Sequence, residues 1–139
     1  MCFFKKKVEP ETIKPTSTER ITLAELDKLL KGKFPEASIY LSDKSYLLCD
    51  YDDIALFLAQ DDTNKMGYVS DERDCDDFAY RLMGQFSIPG WSDLCFGIVW
   101  TETHSLNCMI TEDRKFFFVE PQSDELTMAR AEAVRFIVI

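Results

Sequence analysis

The sequence predicts an α+β domain, because helical and strand patterns occupy different parts of the chain. Apolar residues recur at helical spacing in several segments before residue 90, and β-branched and aromatic runs dominate from residue 94 onward. The 139 residues are 46% hydrophobic and 13% aromatic, which is enough for one buried core and too little for two. We therefore expect a single domain over residues 21–139.

The first 20 residues are expected to form a flexible N-terminal arm. The segment from Lys5 to Glu19 is polar and carries Pro10 and Pro15. Such a segment cannot bury enough apolar surface to order itself.

Two helices and two short strands are predicted in the first half of the domain. Thr22 is a favoured helix cap, Glu25 is its capping-box partner three residues on, and Gly32 ends that helix. Its apolar face is a set of four leucines: Leu23, Leu26, Leu29 and Leu30. A second helix is predicted over 53–59, and short strands over 38–41 and 46–49.

A third helix is predicted at the segment DCDDFAYRLMGQF, with Asp74 as its cap and Cys75 as its first residue. The apolar face below the Cys75 thiol consists of Phe78, Ala79, Leu82 and Phe86. The positive end of the helix dipole favours a thiolate, whereas the neighbouring aspartates disfavour it. A cation held by these aspartates, or a protonated His104, would offset their effect.

Strands are predicted over 94–101, 104–111, 115–120 and 134–139. Turn-forming residues at 112–114 predict that the second and third of these strands form an antiparallel hairpin.

The register of this hairpin decides whether His104 can reach Glu120. If Thr111 lies opposite Lys115, His104 lies opposite Gln122 and diagonal to Glu120, at about 7 to 8 Å between backbones. A long carboxylate spans that distance. A two-residue loop would instead place His104 and Glu120 on opposite faces of the sheet.

Cysteine, histidine and carboxylate follow one another along the chain as Cys75, His104 and Glu120, and His104 is the only histidine. These residue types supply a nucleophile, a base that holds its proton, and an acid that orients the base. The order therefore predicts a thiol hydrolase. His104 would take the thiol proton, the thiolate would attack an amide carbonyl, and water would hydrolyse the thioester.

The net charge of −9 and the pI near 4.6 argue against nucleic acid or an anionic membrane as a partner. Five cysteines lack paired-motif spacing and no signal peptide precedes them, which favours a reduced, cytoplasmic compartment. The composition leaves the oligomeric state open.

Three segments carry a resemblance to a known family: the DCDDF helix start, the HSLN strand start and the VEPQ segment. They resemble the C-terminal domain of the fungal chimerolectins typified by the Marasmius oreades agglutinin, a papain-like cysteine protease domain activated by calcium. The resemblance covers residues 75–122. It implies a papain-like α+β fold, in which N-terminal helices, including the nucleophile helix, pack on an antiparallel sheet.

The resemblance also implies roles for individual residues. Cys75 would be the nucleophile, His104 the base and Glu120 the orienting acid, acting on a peptide or amide substrate. The implied calcium ligands are Asp76, Asp77, Glu120 and Gln122.

Two features depart from that family. The repeated glutamine and tryptophan motif of a sugar-binding β-trefoil does not occur, so glycan recognition is not expected to carry over. The oxyanion-stabilising side chain has only Gln60 and Asn64 as candidates, at poor spacing, which leaves the Cys75 backbone N–H as the favoured donor.

Alternative interpretations remain open. Cys75 could be a small buried apolar residue, and the aspartates could cap a helix without any metal. A transglutaminase-like or cell-wall amidase enzyme would share the chemistry, with Asp124 as the orienting acid. A non-catalytic, calcium-dependent binding module is the third interpretation.

Overall fold

The protein, described by a computed structural model over residues 14–139, has an α+β fold. The helices are α1 (Leu23–Lys33), α2 (Tyr51–Gln60) and α3 (Cys75–Phe86), with a short 3-10 helix at Thr63–Lys65. The strands are β1 (Arg20–Thr22), β2 (Ser38–Tyr40), β3 (Ser45–Leu47), β4 (Phe96–Thr101), β5 (Ser105–Ile110), β6 (Phe116–Glu120), β7 (Glu125–Thr127) and β8 (Val134–Val138).

A six-stranded sheet in the order β2-β8-β4-β5-β6-β7 forms the centre of the domain. Its neighbouring strands are antiparallel except for β2 and β8, which run parallel. Strands β1 and β3 form a separate antiparallel pair. The sheet is therefore built mainly from the consecutive strands β4, β5 and β6, as the strand-rich second half predicts.

The sheet is buried on both faces, so its central strands read as continuous apolar runs. One face packs with α1 through Leu26 and Leu30, and its core also includes Val99, Cys108 and Phe118. The opposite face packs with α2 and α3. That second core includes Ile54, Leu58, Leu82, Phe86, Met109 and Val119. Successive strand residues alternate between the two cores, as the pleat requires.

The three predicted helices are present, although α1 does not end at Gly32 as predicted but continues to Lys33. Thr22 Oγ1 accepts a hydrogen bond from the Glu25 amide, and Glu25 Oε2 accepts one from the Thr22 amide, each at 3.2 Å. Helix α2 begins two residues earlier than predicted because Asp50 caps it, accepting a hydrogen bond from the Asp53 amide at 3.0 Å.

The predicted register of the hairpin between β5 and β6 is also confirmed. Ile110 pairs with Phe116 and Asn107 with Val119, and the Thr111 amide donates to the Lys115 carbonyl at 3.0 Å. This register is the one that brings His104 to the same side as Glu120.

Strands β1 and β7 were not predicted. Each has only three residues, and each forms by pairing with a distant or neighbouring strand rather than through a strong pattern of its own. Short strands of this kind depend on tertiary pairing.

The predicted arm, residues 1–20, lies partly outside the described residues, which begin at Lys14. Within the described part, the Thr16 amide donates to Asp53 Oδ2 at 2.6 Å and the Thr18 amide to Glu112 at 3.3 Å. This part of the predicted arm therefore lies against α2 and the hairpin turn.

Over residues 14–139, no helix is both long and apolar enough to cross a membrane. The four cysteines in that range are free thiols, and three of them are buried: Cys49, Cys95 and Cys108.

Candidate functional site

Cys75 is the first residue of α3, as predicted, and α3 is fixed to the sheet just below it. Asn107 of β5 is fully buried, and its Nδ2 donates to the Ala79 carbonyl of α3 at 3.0 Å and to the Gly97 carbonyl of β4 at 3.2 Å. A buried amide bonded to two backbones holds the helix at one position on the sheet. The thiol therefore has a defined place relative to β5.

His104 is positioned by the turn that joins β4 to β5. Thr101 Oγ1 accepts a hydrogen bond from the His104 amide at 3.0 Å, and the Thr101 amide donates to the His104 carbonyl at 2.8 Å. Thr101 therefore fixes the backbone of His104 at the start of β5.

Glu120, the last residue of β6, holds the imidazole. Glu120 Oε2 lies 2.7 Å from His104 Nε2, and both side chains are largely buried. The other carboxylate oxygen, Oε1, accepts a hydrogen bond from the Gln122 amide at 3.2 Å. Since Nε2 is engaged by the carboxylate, Nδ1 is the ring nitrogen that remains to face the thiol.

The Cys75 sulfur accepts a hydrogen bond from the Ser105 hydroxyl at 3.2 Å. Partial burial raises the pKa of the Cys75 thiol, but the hydrogen bond from Ser105 and the nearby His104 imidazole outweigh this, and the pKa lies below its ordinary value. The structure therefore favours the thiolate through Ser105 and His104.

The pKa of His104 is raised above its ordinary value, chiefly because Glu120 accepts its proton in a hydrogen bond. Burial acts in the opposite direction, while the charge of Glu120 and the contact with Cys75 add to the rise. A lowered thiol pKa beside a raised imidazole pKa favours a thiolate and imidazolium pair. Such a sulfur is a nucleophile and a hydrogen-bond acceptor.

The predicted metal ligands are only partly brought together. Asp74, Asp76 and Asp77 form a group in which one carboxylate oxygen of each residue lies within 4.8 Å of the other two. Glu120 is outside this group. Asp77 Oδ2 also accepts a hydrogen bond from the Asp74 amide at the helix start.

With one oxygen from each aspartate, the group supplies three of the six to eight oxygens that calcium takes. A hydrogen bond with Asp76 and the charges of Asp76 and Asp77 raise the pKa of Asp74 to about 6. Both Glu120 oxygens already have partners, as described above, and Gln122 meets Glu120 through its backbone. These residues as arranged do not fit a calcium site, so no chemical step is derived through a metal.

Asp124, Gln60 and Asn64 are the other candidate residues of the sequence analysis. Asp124 follows β6 in a turn at φ 64°, and burial and the charge of Asp61 raise its pKa. The partner of His104 is Glu120 rather than Asp124. Gln60 is the last residue of α2, and Asn64 lies in the 3-10 helix.

A cleft of about 280 Å³ lies next to the pair formed by His104 and Glu120, because Glu120 is one of the residues that line the cleft. We call it the Glu120 cleft; it is lined by Leu106, Glu120, Glu125, Thr127, Ala129, Arg130 and Glu132. Arg130 pairs with Glu132 at 2.9 Å and lies 4.0 Å from Glu120 Oε2.

Sequence reasoning missed Ser105, Thr101 and the cleft residues from β7 onward. Ser105 directly follows His104 in the HSLN segment. Its position relative to Cys75 in the sequence gives no indication that its hydroxyl would contact the thiol. The cleft residues carry no motif, and only the pairing of β7 with β6 brings them beside Glu120.

Comparison with known proteins gives a likeness of fold. No protein-family model matches the chain, and no curated protein matches it. A solved structure described as the PSL1a-E64 complex is similar to this chain, with a TM-score of 0.77 and 22% sequence identity. The match covers 86% of this chain and 50% of the solved chain. Polyporus squamosus lectin, bound to the human-type influenza-binding epitope Neu5Acα2-6Galβ1-4GlcNAc, matches 86% of this chain and 49% of its own, with a TM-score of 0.72 and 22% identity.

These findings correct several expectations. The α+β class is confirmed, but the neighbour described by its function is a fungal lectin, so the papain-like assignment is not supported and the link to Marasmius-type lectins is supported only loosely. The expected cysteine protease, its enzymatic activity and its peptide or amide substrate are contradicted by lectin neighbours. The chain spans about half the length of the solved chains that it matches.

Proposed function

We propose that this chain is a binding module for a small neutral sugar, which it takes in the Glu120 cleft. The observation that carries the proposal is a cleft lined by carboxylates, a hydroxyl and a guanidinium in a fold shared with a lectin. Sugar hydroxyls both donate and accept hydrogen bonds, so they match such a mixed lining. Hydrolysis of a peptide is no part of this proposal.

The size and charge of the cleft define the ligand class. At about 280 Å³ the cleft is near the lower limit of ligand pockets, which suits one sugar ring rather than an extended chain. Its lining has three glutamates and one arginine. This excess of negative charge disfavours the carboxylate of a sialic acid, although the lectin neighbour is bound to a sialylated trisaccharide.

A titration followed by NMR chemical shifts tests this proposal. We expect Galβ1-4GlcNAc to shift the amides of Glu125 and Thr127, and the sialylated trisaccharide to bind more weakly. Glu125→Gln should weaken binding by about tenfold, because a hydrogen bond to a charged acceptor becomes one to a neutral acceptor.

The matched control is Glu36→Gln, which alters an exposed glutamate outside the cleft and should leave the affinity unchanged. Cleft amides that do not shift with either sugar would refute the proposal.

A second function is favoured by the contacts of the Cys75 sulfur. We infer that Cys75 is a reactive thiol that binds electrophilic ligands covalently, with His104 holding the proton and Glu120 holding His104. The support is the hydrogen bond from Ser105, the pairing of His104 with Glu120 and the lowered thiol pKa. Capture of a ligand requires no turnover.

Protection by E64 tests this second function, because a structural neighbour is described in complex with that compound. Iodoacetamide should label Cys75 at neutral pH while leaving the buried Cys49 unlabelled, and prior incubation with E64 should suppress the Cys75 adduct. Peptide mass mapping locates the label, and Cys75→Ser provides the blank. A Cys75 thiol labelled no faster than free cysteine would contradict the inference.

A further inference from the structure

Arg130 lies beside the pair formed by His104 and Glu120, in the segment that joins β7 to β8. Its Nη1 is 4.0 Å from Glu120 Oε2, the same oxygen that lies 2.7 Å from His104 Nε2. The two cationic groups thus share one carboxylate oxygen, but only the imidazole is at hydrogen-bond distance. Arg130 is 23% exposed and Glu120 18%, so solvent screens their interaction only in part.

Glu132 holds the Arg130 guanidinium in this position. Arg130 Nη2 donates to Glu132 Oε1 at 2.9 Å and Arg130 Nε donates to Glu132 Oε2 at 3.3 Å. This two-point contact uses the planar geometry that guanidinium and carboxylate prefer. Hydrogen bonds from Arg130 lower the pKa of Glu132, so the pair remains ionised at neutral pH.

We propose that Arg130 and Glu132 are positioning residues of the thiol site. Glu132 holds Arg130 by hydrogen bonds, so that Arg130 does not bind Glu120 Oε2 and this oxygen remains the hydrogen-bond partner of His104. This inference rests on the proposed reactive thiol. The charged groups around His104 are Glu120 from β6, Cys75 from α3, and Arg130 and Glu132 from the segment before β8. Without Glu132, the guanidinium would turn toward Glu120, the other carboxylate within 4.0 Å of it in residues 14–139, and would compete with the imidazole.

The competition predicts that Glu132→Gln alone slows the alkylation of Cys75 and that adding Arg130→Ala restores most of the lost rate. Glu132→Gln should free Arg130 to pair with Glu120 and reduce the rate of Cys75 alkylation at pH 7 by about tenfold, the loss expected for one pKa unit of the thiol. Arg130→Ala removes the competitor, so the double variant Arg130→Ala, Glu132→Gln should recover at least half of the wild-type rate.

The hydrogen bond of His104 can be measured directly, because His104 is the only histidine in the chain. Nitrogen-15 NMR of the imidazole should show a changed Nε2 resonance in Glu132→Gln and a wild-type resonance in the double variant. Glu36→Gln, an exposed glutamate elsewhere, is the control and should change neither readout.

The two proposals fail in distinguishable ways. A wild-type Nε2 resonance in Glu132→Gln, or a double variant that stays as slow and as shifted as Glu132→Gln, overturns the role of Arg130. An unreactive wild-type thiol overturns the reactive-thiol function, whereas the Nε2 resonances still report whether Glu132 keeps Arg130 away from Glu120.

Discussion

Replacing Gly97 with alanine is expected to destabilise the domain by about 3 kcal/mol or more, because no space exists for a side chain there. A Cβ at Gly97 would lie 2.1 Å from the Val138 carbonyl oxygen and 2.7 Å from Ile139 Cγ1. The first contact is with backbone, so the neighbour cannot move aside by a change of rotamer. Gly97 lies in β4 between β5 and β8, and the strain would spread through the centre of the sheet.

Urea denaturation measures this effect as a lowered midpoint at unchanged slope. Gly84→Ala is the matched control, since nothing lies within 4 Å of a Cβ at that position in α3. There alanine should stabilise the domain by about 0.5 to 1 kcal/mol, because glycine weakens a helix interior. A Gly97→Ala variant as stable as the wild type would show that β4 and β8 are not packed as described.

The second large effect is expected at His104. The pKa of Cys75 is lowered and that of His104 is raised, so both shifts favour the charged forms, thiolate and imidazolium. The alkylation rate of Cys75 should therefore increase with pH, with a midpoint below the ordinary thiol pKa of 9.0, and should be constant at higher pH. This is the direction required for an acid whose charged form is stabilised by a partner.

His104→Gln should move the rise in rate, and the plateau that follows it, to higher pH, toward the ordinary thiol pKa. At pH 7 the rate should fall by about tenfold for each pKa unit by which the thiol returns to that value. The alkylation rate of Glu120→Gln at pH 7 should lie between those of the wild type and His104→Gln, because the imidazole remains but loses its charged partner.

The measurement is a pH profile of iodoacetamide labelling, with Cys75→Ser as the blank. A His104→Gln profile that coincides with the wild-type profile would mean that the imidazole does not act on the sulfur.

Local features of the chain were predicted correctly because each depends on residues a few positions apart. The Thr22 and Glu25 capping box requires only three residues of separation, and the helix start at Cys75 requires only the aspartates around it. The register that brings His104 toward Glu120 followed from the turn at 112–114. These elements could be predicted without any knowledge of packing.

Other features could not be predicted because they arise between segments that are distant in sequence. The Ser105 bond to Cys75 needs α3 to lie on β5, and Arg130 meets Glu120 only after β7 pairs with β6. The implied calcium ligands are likewise spread over distant segments: the Glu120 oxygens contact His104 and the Gln122 amide, and Glu120 lies outside the aspartate group.

The amino-acid sequence by itself determined the α+β class, the starts of α1 and α3 and the order of thiol, imidazole and carboxylate, because short-range backbone preferences and strand alternation encode them. Only the tertiary structure decided which groups touch the sulfur, which oxygen of Glu120 holds the imidazole and what lines the neighbouring cleft. Those contacts depend on how helices and strands pack, and packing is a property of the whole domain.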